Sequence, residues 1–311
     1  PRTQDGTCNG LQHYAALGRD LRGGTAVNLV PADRPQDVYQ RVRIRPVAVW
    51  VLRHVHVPSS FSTCSRPPWI HGHVDRKLVK QSVMTYVYGV TFVGARDQIE
   101  SPLEERGWGN PKERRKVATY VAGIVFESMS DVFGPAVRVR SWLEDCAKYA
   151  VSAGAPVVWT SPLGFPVEQP YRKVPTLSVH TSLQTFSIRD NSRDAVSPLD
   201  VRKQCSGFPP NYVHCLDGAH MMMTARAVRE AGACFAAVHD SYWTHAASVD
   251  LMNKAIRDTF VQLHERPLLH ELRRELLRNP EYSGATAALP RVPAPGQLDL
   301  SVVRQSTYFF S

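Results

Sequence analysis

Cysteine is scarce in this chain. Only 6 of its 311 residues are cysteine, at positions 8, 64, 146, 205, 215 and 234, and they show no paired spacing. Nothing in that pattern suggests a secreted disulfide framework, so reduced thiols are the expectation. No apolar run reaches the roughly 18 residues that a membrane-spanning helix needs. No internal repeat is present. Acidic residues number 28 against 37 Lys and Arg, giving a net charge of +9. This excess favours a polyanionic partner, although charge alone does not separate nucleic acid from anionic lipid or from simple solubility. An initiator methionine and a targeting segment are missing as well. The chain begins at Pro1 and its first motif at Asp5, so the expectation is a fragment of a longer protein without its upstream part or any transit peptide.

What is present is an ordinary globular composition, 43% hydrophobic, long enough for two compact domains or one large domain with an insertion. A helix is expected from Gly10, on the spacing of Leu11, Tyr14, Ala15 and Leu17, and a short one over 33–45. Residues 46–74 keep neither a helical nor a strand period, and Pro58, Pro67 and Pro68 exclude a continuous helix there. His54, His56, Cys64, His71 and His73 fall in that stretch without a recognised zinc spacing. A flexible insertion or a misread piece of a gene model are the two readings of it. Helical periodicity returns over 111–153 and stops at Gly154-Ala155-Pro156. Residues 157–173 and 177–188 read as two strands, 191–207 as loop, 211–229 as helix, 234–245 as a buried strand followed by a turn, and 251–277 as mostly helix.

The chemistry gathers around residues 75–90, DRKLVKQSVMTYVYGV. Arg76, Lys80, Met84 and Tyr88 recur every four residues, so one helix would carry them as a stripe, with Val79, Val83, Tyr86 and Val87 buried. Asp75 is placed to cap the helix and Gly89 to end it. A basic surface helix is the plain alternative. Asp5 and Asp240, each beside an expected strand end, flank this helix in sequence. Phosphoryl transfer to a growing chain uses two metal ions about 3.5–4 Å apart, held by carboxylates. Magnesium takes few protein ligands and completes its shell with phosphate and water. Lysine and arginine nearby would neutralise a triphosphate and its leaving pyrophosphate. An aspartate after a strand is more often a turn former; the spacing of 76–89 is what makes the set specific.

DGTCNGLQHYAALGRD, RKLVKQSVMTYVYG and HDSYW together resemble the first catalytic motif, the fingers helix and the second catalytic aspartate of the single-subunit, phage-type RNA polymerases. SPLGFPVEQPYR, GFPPNYVHCLD, HDSYWTHAA and the ending STYFFS resemble most the animal mitochondrial branch. The resemblance runs nearly end to end apart from 46–74. It implies an α+β right-hand polymerase fold. Residues 1–30 and 209–311 would form the palm, the latter with an aromatic C-terminal foot, and 31–208 the mostly helical fingers; on this resemblance the expectation is palm and fingers without the family's thumb and N-terminal domain. Residues 170–208 would correspond to a promoter-contacting hairpin, where Arg172, Lys173, Arg189, Arg193, Arg202 and Lys203 could meet DNA phosphates. The interleaved Asp190, Asp194 and Asp200 leave a solvated loop as the equal alternative.

The same resemblance implies that Asp5 and Asp240 bind Mg²⁺ and catalyse. Arg76 and Lys80 would contact the triphosphate, with Lys80 protonating pyrophosphate. Tyr88 and His220 would lie by the nucleotide sugar, and His239 would support the primer end. For both histidines a core residue with a satisfied hydrogen bond is the even alternative. DNA-making relatives carry a bulky acid where this chain has Gly10 and an aromatic residue where it has Met84, which points to ribonucleotides. The expected activity is DNA-directed RNA synthesis from ribonucleoside triphosphates in mitochondria, with DNA template, nascent RNA and mitochondrial initiation factors as partners. An inactive nucleic-acid-binding fragment is the second reading. A two-aspartate nuclease ranks below it, since a nuclease needs no Lys-Arg-Tyr helix.

Overall fold

The computed structural model describes residues 2–39, 76–86, 88–174, 176–189 and 197–310. Expectations for 46–74 and its histidines, for Asp75, Val87, Asp190, Arg193 and Asp194, and for 40–45 of the helix at 33–45 lie outside the described residues. Of that last helix 33–39 are described: 33–37 are bend and loop, with Pro35 among them, so the helix starts later than expected, at Val38 and Tyr39, both buried. The fold mixes helix and sheet, as an α+β chain should. Among the described residues no helix is long and apolar enough to cross a membrane.

Strand β1 (Arg2–Asp5) opens the chain and pairs antiparallel with β7 (Ser241–Thr244), which also pairs antiparallel with β6 (Ala236–Val238). The order β1-β7-β6 therefore joins the two ends of the sequence. β7 is central, and Tyr242 is fully buried on it. β6 is an edge strand, and Val238 is 61% exposed. This corrects the expectation of a buried strand over 234–238: its apolar run borders one neighbour only, and the edge faces solvent.

Helix α1 (Asn9–Leu17) follows β1 and is buried along nearly its whole length. It packs against α2 (Leu21–Ala26), α6 (Gly134–Ser152) and α7 (Val201–Glu230). Asp20 caps α2 by accepting from the Gly23 N–H. Helix α3 (Arg76–Tyr86) buries Leu78, Val79, Ser82, Val83 and Tyr86 against α4 (Phe92–Glu105) and α5 (Pro111–Val132), leaving Arg76 and Lys80 exposed. The expected helix over 111–153 is two helices, α5 and α6, parted at Phe133. Gly134-Pro135 starts the second, where the missing proline N–H costs nothing. Asn110 and Glu113 form a reciprocal capping box at the start of α5.

The two strands expected over 157–188 are two hairpins: β2 (Val158–Thr160) with β3 (Pro166–Glu168), and β4 (Thr176–His180) with β5 (Thr185–Arg189). The second stands away from the core, with Leu177 64% and Leu183 95% exposed. Helix α7 is a correction of another kind. It starts at Val201, inside the stretch read as loop, and runs through Pro209 and Pro210. Asp200 caps it. Gln204 and Asn211 bond Gln169 and Tyr171 on the loop after β3, on either side of the proline pair. Those buried bonds and the packing of Phe208 and Tyr212 outweigh the local penalty for proline.

Helices α8 (Val249–Glu265) and α9 (Leu268–Arg278) are separated at Arg266-Pro267. The C-terminal segment then returns to the sheet. Gln12 donates to the Phe309 carbonyl, Arg257 to the Ser306 and Thr307 carbonyls, and Phe310 bridges to Gly6. Phe309 and Phe310 are buried, and Phe310 stacks on Tyr242 with ring centroids 5.3 Å apart. Burying the aromatic ending removes a patch that would otherwise face water.

Candidate active site

The β1–β7 register places Asp5 opposite Ser241, one residue from Asp240. Two residues, His239 and Asp240, form the turn of the β6–β7 hairpin, with Val238 paired to Ser241. His239 has φ +54°, the left-handed conformation that tight hairpin turns demand and that usually selects glycine or asparagine. The Ser241 hydroxyl donates to Asp5 Oδ1 over 3.1 Å, and the Gly6 N–H to the Asp240 carbonyl over 3.4 Å. Both carboxylates therefore stand at one end of the sheet. Desolvation raises the pKa of Asp240, and the neighbouring Asp5 charge raises it further. Two acids that repel each other at a strand end suit a divalent cation, which would relieve that repulsion. Their oxygen donors are the kind magnesium takes, and two carboxylates are enough for it when phosphate and water supply the rest. Among the described residues no cluster of three or more His, Cys, Asp or Glu could hold a metal by itself.

Tyr88 and Gly10 complete the same end. Tyr88 lies in the turn after α3, which ends at Tyr86, so the stripe of Arg76, Lys80 and Met84 does not continue onto it as helix. The Val90 N–H returns to the Thr85 carbonyl, and Gly89 takes φ +82°, which ends the helix as expected. A Cβ on Gly10 would lie 2.6 Å from the Tyr88 hydroxyl oxygen. The space that glycine leaves is thus filled by the tyrosine. Burial, with Cys8, Asp217 and Asp240 nearby, pushes the Tyr88 phenol well above its usual range, so it remains a hydrogen-bond donor.

The cations reach this corner from α3. Lys80 and Asp240 both act electrostatically on the Cys8 thiol, which burial pushes up to about 11. Arg76 Nε donates to Asp37 Oδ2 over 2.9 Å and lies over the Tyr39 ring. Asp5, Asp240, Lys80, Gly10 and Tyr88 are brought together; Arg76 stands at the outer end of α3.

His239 is exposed in the aspartate turn. His220 is fully buried. Its Nε2 donates to the Ile256 carbonyl over 2.9 Å, and burial lowers its pKa to about 4. It belongs to a core cluster with Phe260, Tyr242 and His13. The histidine that meets Tyr88 is His214, unremarked in the sequence reading: the rings stack at 4.9 Å with planes 6° apart. The two histidines are six residues apart, which puts them about 120° apart around α7. Only one of them can face the tyrosine; the helix expected over 211–229 already separates them, but which side meets Tyr88 is decided by how α7 packs on α1 and α8. Asp217 was missed because its partner, Asn9, lies 208 positions away in the sequence. It accepts from Asn9 Nδ2 over 2.5 Å, and burial raises its pKa to about 6.

A family model described as DNA-dependent RNA polymerase matches residues 1–288. DNA-directed RNA polymerase 2, chloroplastic/mitochondrial, of Arabidopsis thaliana is 46% identical over all of this chain, which spans 30% of that protein. DNA-directed RNA polymerase 1, mitochondrial, of the same plant is 45% identical, with 31% of its length covered. DNA-directed RNA polymerase 2A of Nicotiana tabacum is 45% identical, with 92% covered. These relatives are plant proteins whose names include both organelles, a broader setting than the animal mitochondrial branch. With the family model matching nearly the whole chain and the relatives aligned along all of it, this chain belongs to the phage-type, single-subunit family of DNA-dependent RNA polymerases.

Proposed function

We propose that this chain forms the nucleotidyl-transfer centre of an organellar DNA-directed RNA polymerase, adding ribonucleotides from their triphosphates to the 3′ end of RNA on a DNA template. The observation that carries the reading is the β1–β7 pairing, which sets Asp5 beside the Asp240 turn although Asp5 and Ser241 are 236 positions apart. Asp5 and Asp240 would hold Mg²⁺, which when bound supplies charge stabilisation to the transferring phosphoryl group. Lys80 lies where a triphosphate chain would need a cation and a pyrophosphate a proton, and Arg76 binds further out along the same helix. Tyr88, stacked on His214 and seated against Gly10, would border the nucleotide sugar; His214 takes the place first given to His220. His239 would support the primer end. Ribonucleotide preference then rests on where Gly10 lets Tyr88 sit.

Residues 1–30 and 209–311 are read as palm and 31–208 as fingers, with the division falling inside the continuous helix α7. The exposed β4–β5 hairpin is the promoter-side element. Mitochondria are the proposed compartment, with initiation factors as partners there. The chain spans about 30% of the first two relatives' length, which favours one alternative, a piece that binds nucleic acid without catalysing.

Primer extension on an RNA–DNA hybrid with Mg²⁺ tests the reading, comparing ribonucleotides with deoxyribonucleotides. Ribonucleotide extension that disappears in Asp240→Ala is the expected result. Salt-sensitive hybrid binding without extension would leave only the binding fragment, and preference for deoxyribonucleotides would overturn the role given to Gly10 and Met84.

A further inference from the structure

Asp217 has no part in the roles assigned above, yet it touches the catalytic turn. Between β1 and α1 the chain runs Asp5-Gly6-Thr7-Cys8-Asn9, and Cys8 is held at φ +59° with no side-chain cap bond. A residue with a Cβ keeps a left-handed conformation only when its surroundings hold it there. The ties before Cys8 run to β7 and to the C-terminal segment: Ser241 to Asp5, Gly6 to Phe310, and Thr7 to the Tyr308 carbonyl. After Cys8, the buried Asn9 donates its amide to Asp217 Oδ1 over 2.5 Å. This side-chain bond ties the turn to α7, one helical turn beyond the His214 that stacks on Tyr88.

A carboxylate at this position is costly. It is 16% exposed, Asp240 repels it, and the nearest ion-pair partner is His13 at 4.0 Å, which burial keeps neutral. From α1 it faces Asn9 and His13, and from the β6–β7 turn Asp240 and His239; Tyr88 feels its charge from the turn after α3. The Asn9 bond is the contact that offsets this cost. We propose that Asp217 is a positioning residue: by holding Asn9 it locks the Asp5–Cys8 turn to α7, so that the metal-binding carboxylate and the Tyr88–His214 stack move as one body.

The proposal rests on the reading of Asp5 as a metal-binding catalytic carboxylate, and the test separates the two. Asp217→Ala and Asn9→Ala are each expected to lower the rate of primer extension about 10-fold. Each should also raise the Mg²⁺ concentration needed for half-maximal rate several-fold, with hybrid affinity unchanged. The double variant should be no worse than either single one, because both remove the same bond. Asp217→Asn, whose amide oxygen accepts the same bond, should recover most of the rate. Unchanged Mg²⁺ dependence in Asp217→Ala, multiplicative losses in the double variant, or no recovery in Asp217→Asn would each overturn the proposal. Should Asp217→Ala not fold, Asn9→Ser carries the same expectation. Hydrogen exchange over residues 6–12 gives a readout free of activity, and should speed up in Asp217→Ala but not in Asp217→Asn. If the parent chain extends no primer, the functional reading fails while the exchange result still decides the positioning claim.

Discussion

Asp5 ends a backbone-paired strand and Asp240 lies in the turn between two others, whereas Arg76 and Lys80 stand on the exposed face of a helix. The carboxylates are placed by ladder hydrogen bonds, a two-residue turn and the Phe309-Phe310 segment packed behind them. The cations depend on long side chains reaching from α3, and the exposed Arg76–Asp37 pair adds at most about 1 kcal/mol. The difference fits the roles proposed for each group. A metal cage has to be fixed before anything binds, while cations that neutralise a leaving group can close around it as it arrives.

Three substitutions sharpen this contrast. Lys80→Ala should have the largest effect, lowering kcat about 100-fold in single-nucleotide extension, since it removes charge stabilisation where charge develops; a change confined to nucleotide KM would mean that Lys80 only binds. Arg76→Ala should come next, raising nucleotide KM about 10-fold with kcat nearly kept, because its position is remote and already shared with Asp37. Ser241→Ala should cost about 2-fold or less in rate, because strand pairing holds Asp5 without the hydroxyl; a loss as large as that of Lys80→Ala would break the comparison.

The smallest effect concerns pH and the core behind the site. His220 is neutral when folded, with its pKa lowered to about 4, whereas an unfolded histidine titrates near about 6.5. Between those values the unfolded chain binds the extra proton, so the stabilising contribution is complete above about 6.5 and lost as pH falls toward about 4. Asp217, raised to about 6, works in the opposite direction: its contribution favours the folded chain at low pH and fades as pH rises through about 6. His220→Gln can keep a donor for the Ile256 carbonyl. The stability difference between parent and variant, from denaturant titrations at pH 7.5 and 5.5, should shift against the parent at the lower pH. A pH-independent difference would mean that His220 is protonated within the fold.

Much of the arrangement was legible in the sequence because its signals are local. The apolar face of α3, the stop at Gly89, the break at Gly154 and the strand and turn up to His239-Asp240 each follow from a few adjacent residues, whereas β7 after that turn was read only as an exit. Where the reading failed, distant partners decided. Pro209-Pro210 announces a break, yet Gln169 and Tyr171 bond both sides of it and α7 continues through. The expected helix over 211–229 already set His214 and His220 on different sides, and packing decides that His214 faces Tyr88 while His220 enters the core. Edge exposure of β6 likewise depends on which strand pairs with β7.

The sequence by itself determined the family, the residue types of the chemistry and the elements that carry them, because periodicity, turn residues and motif spacing are properties of neighbours along the chain. The tertiary structure alone decided that Asp5 meets the Asp240 turn, that Gly10 makes room for Tyr88, and that Asn9 finds Asp217. Those contacts join segments far apart in sequence, and only packing and strand register choose among the partners open to each.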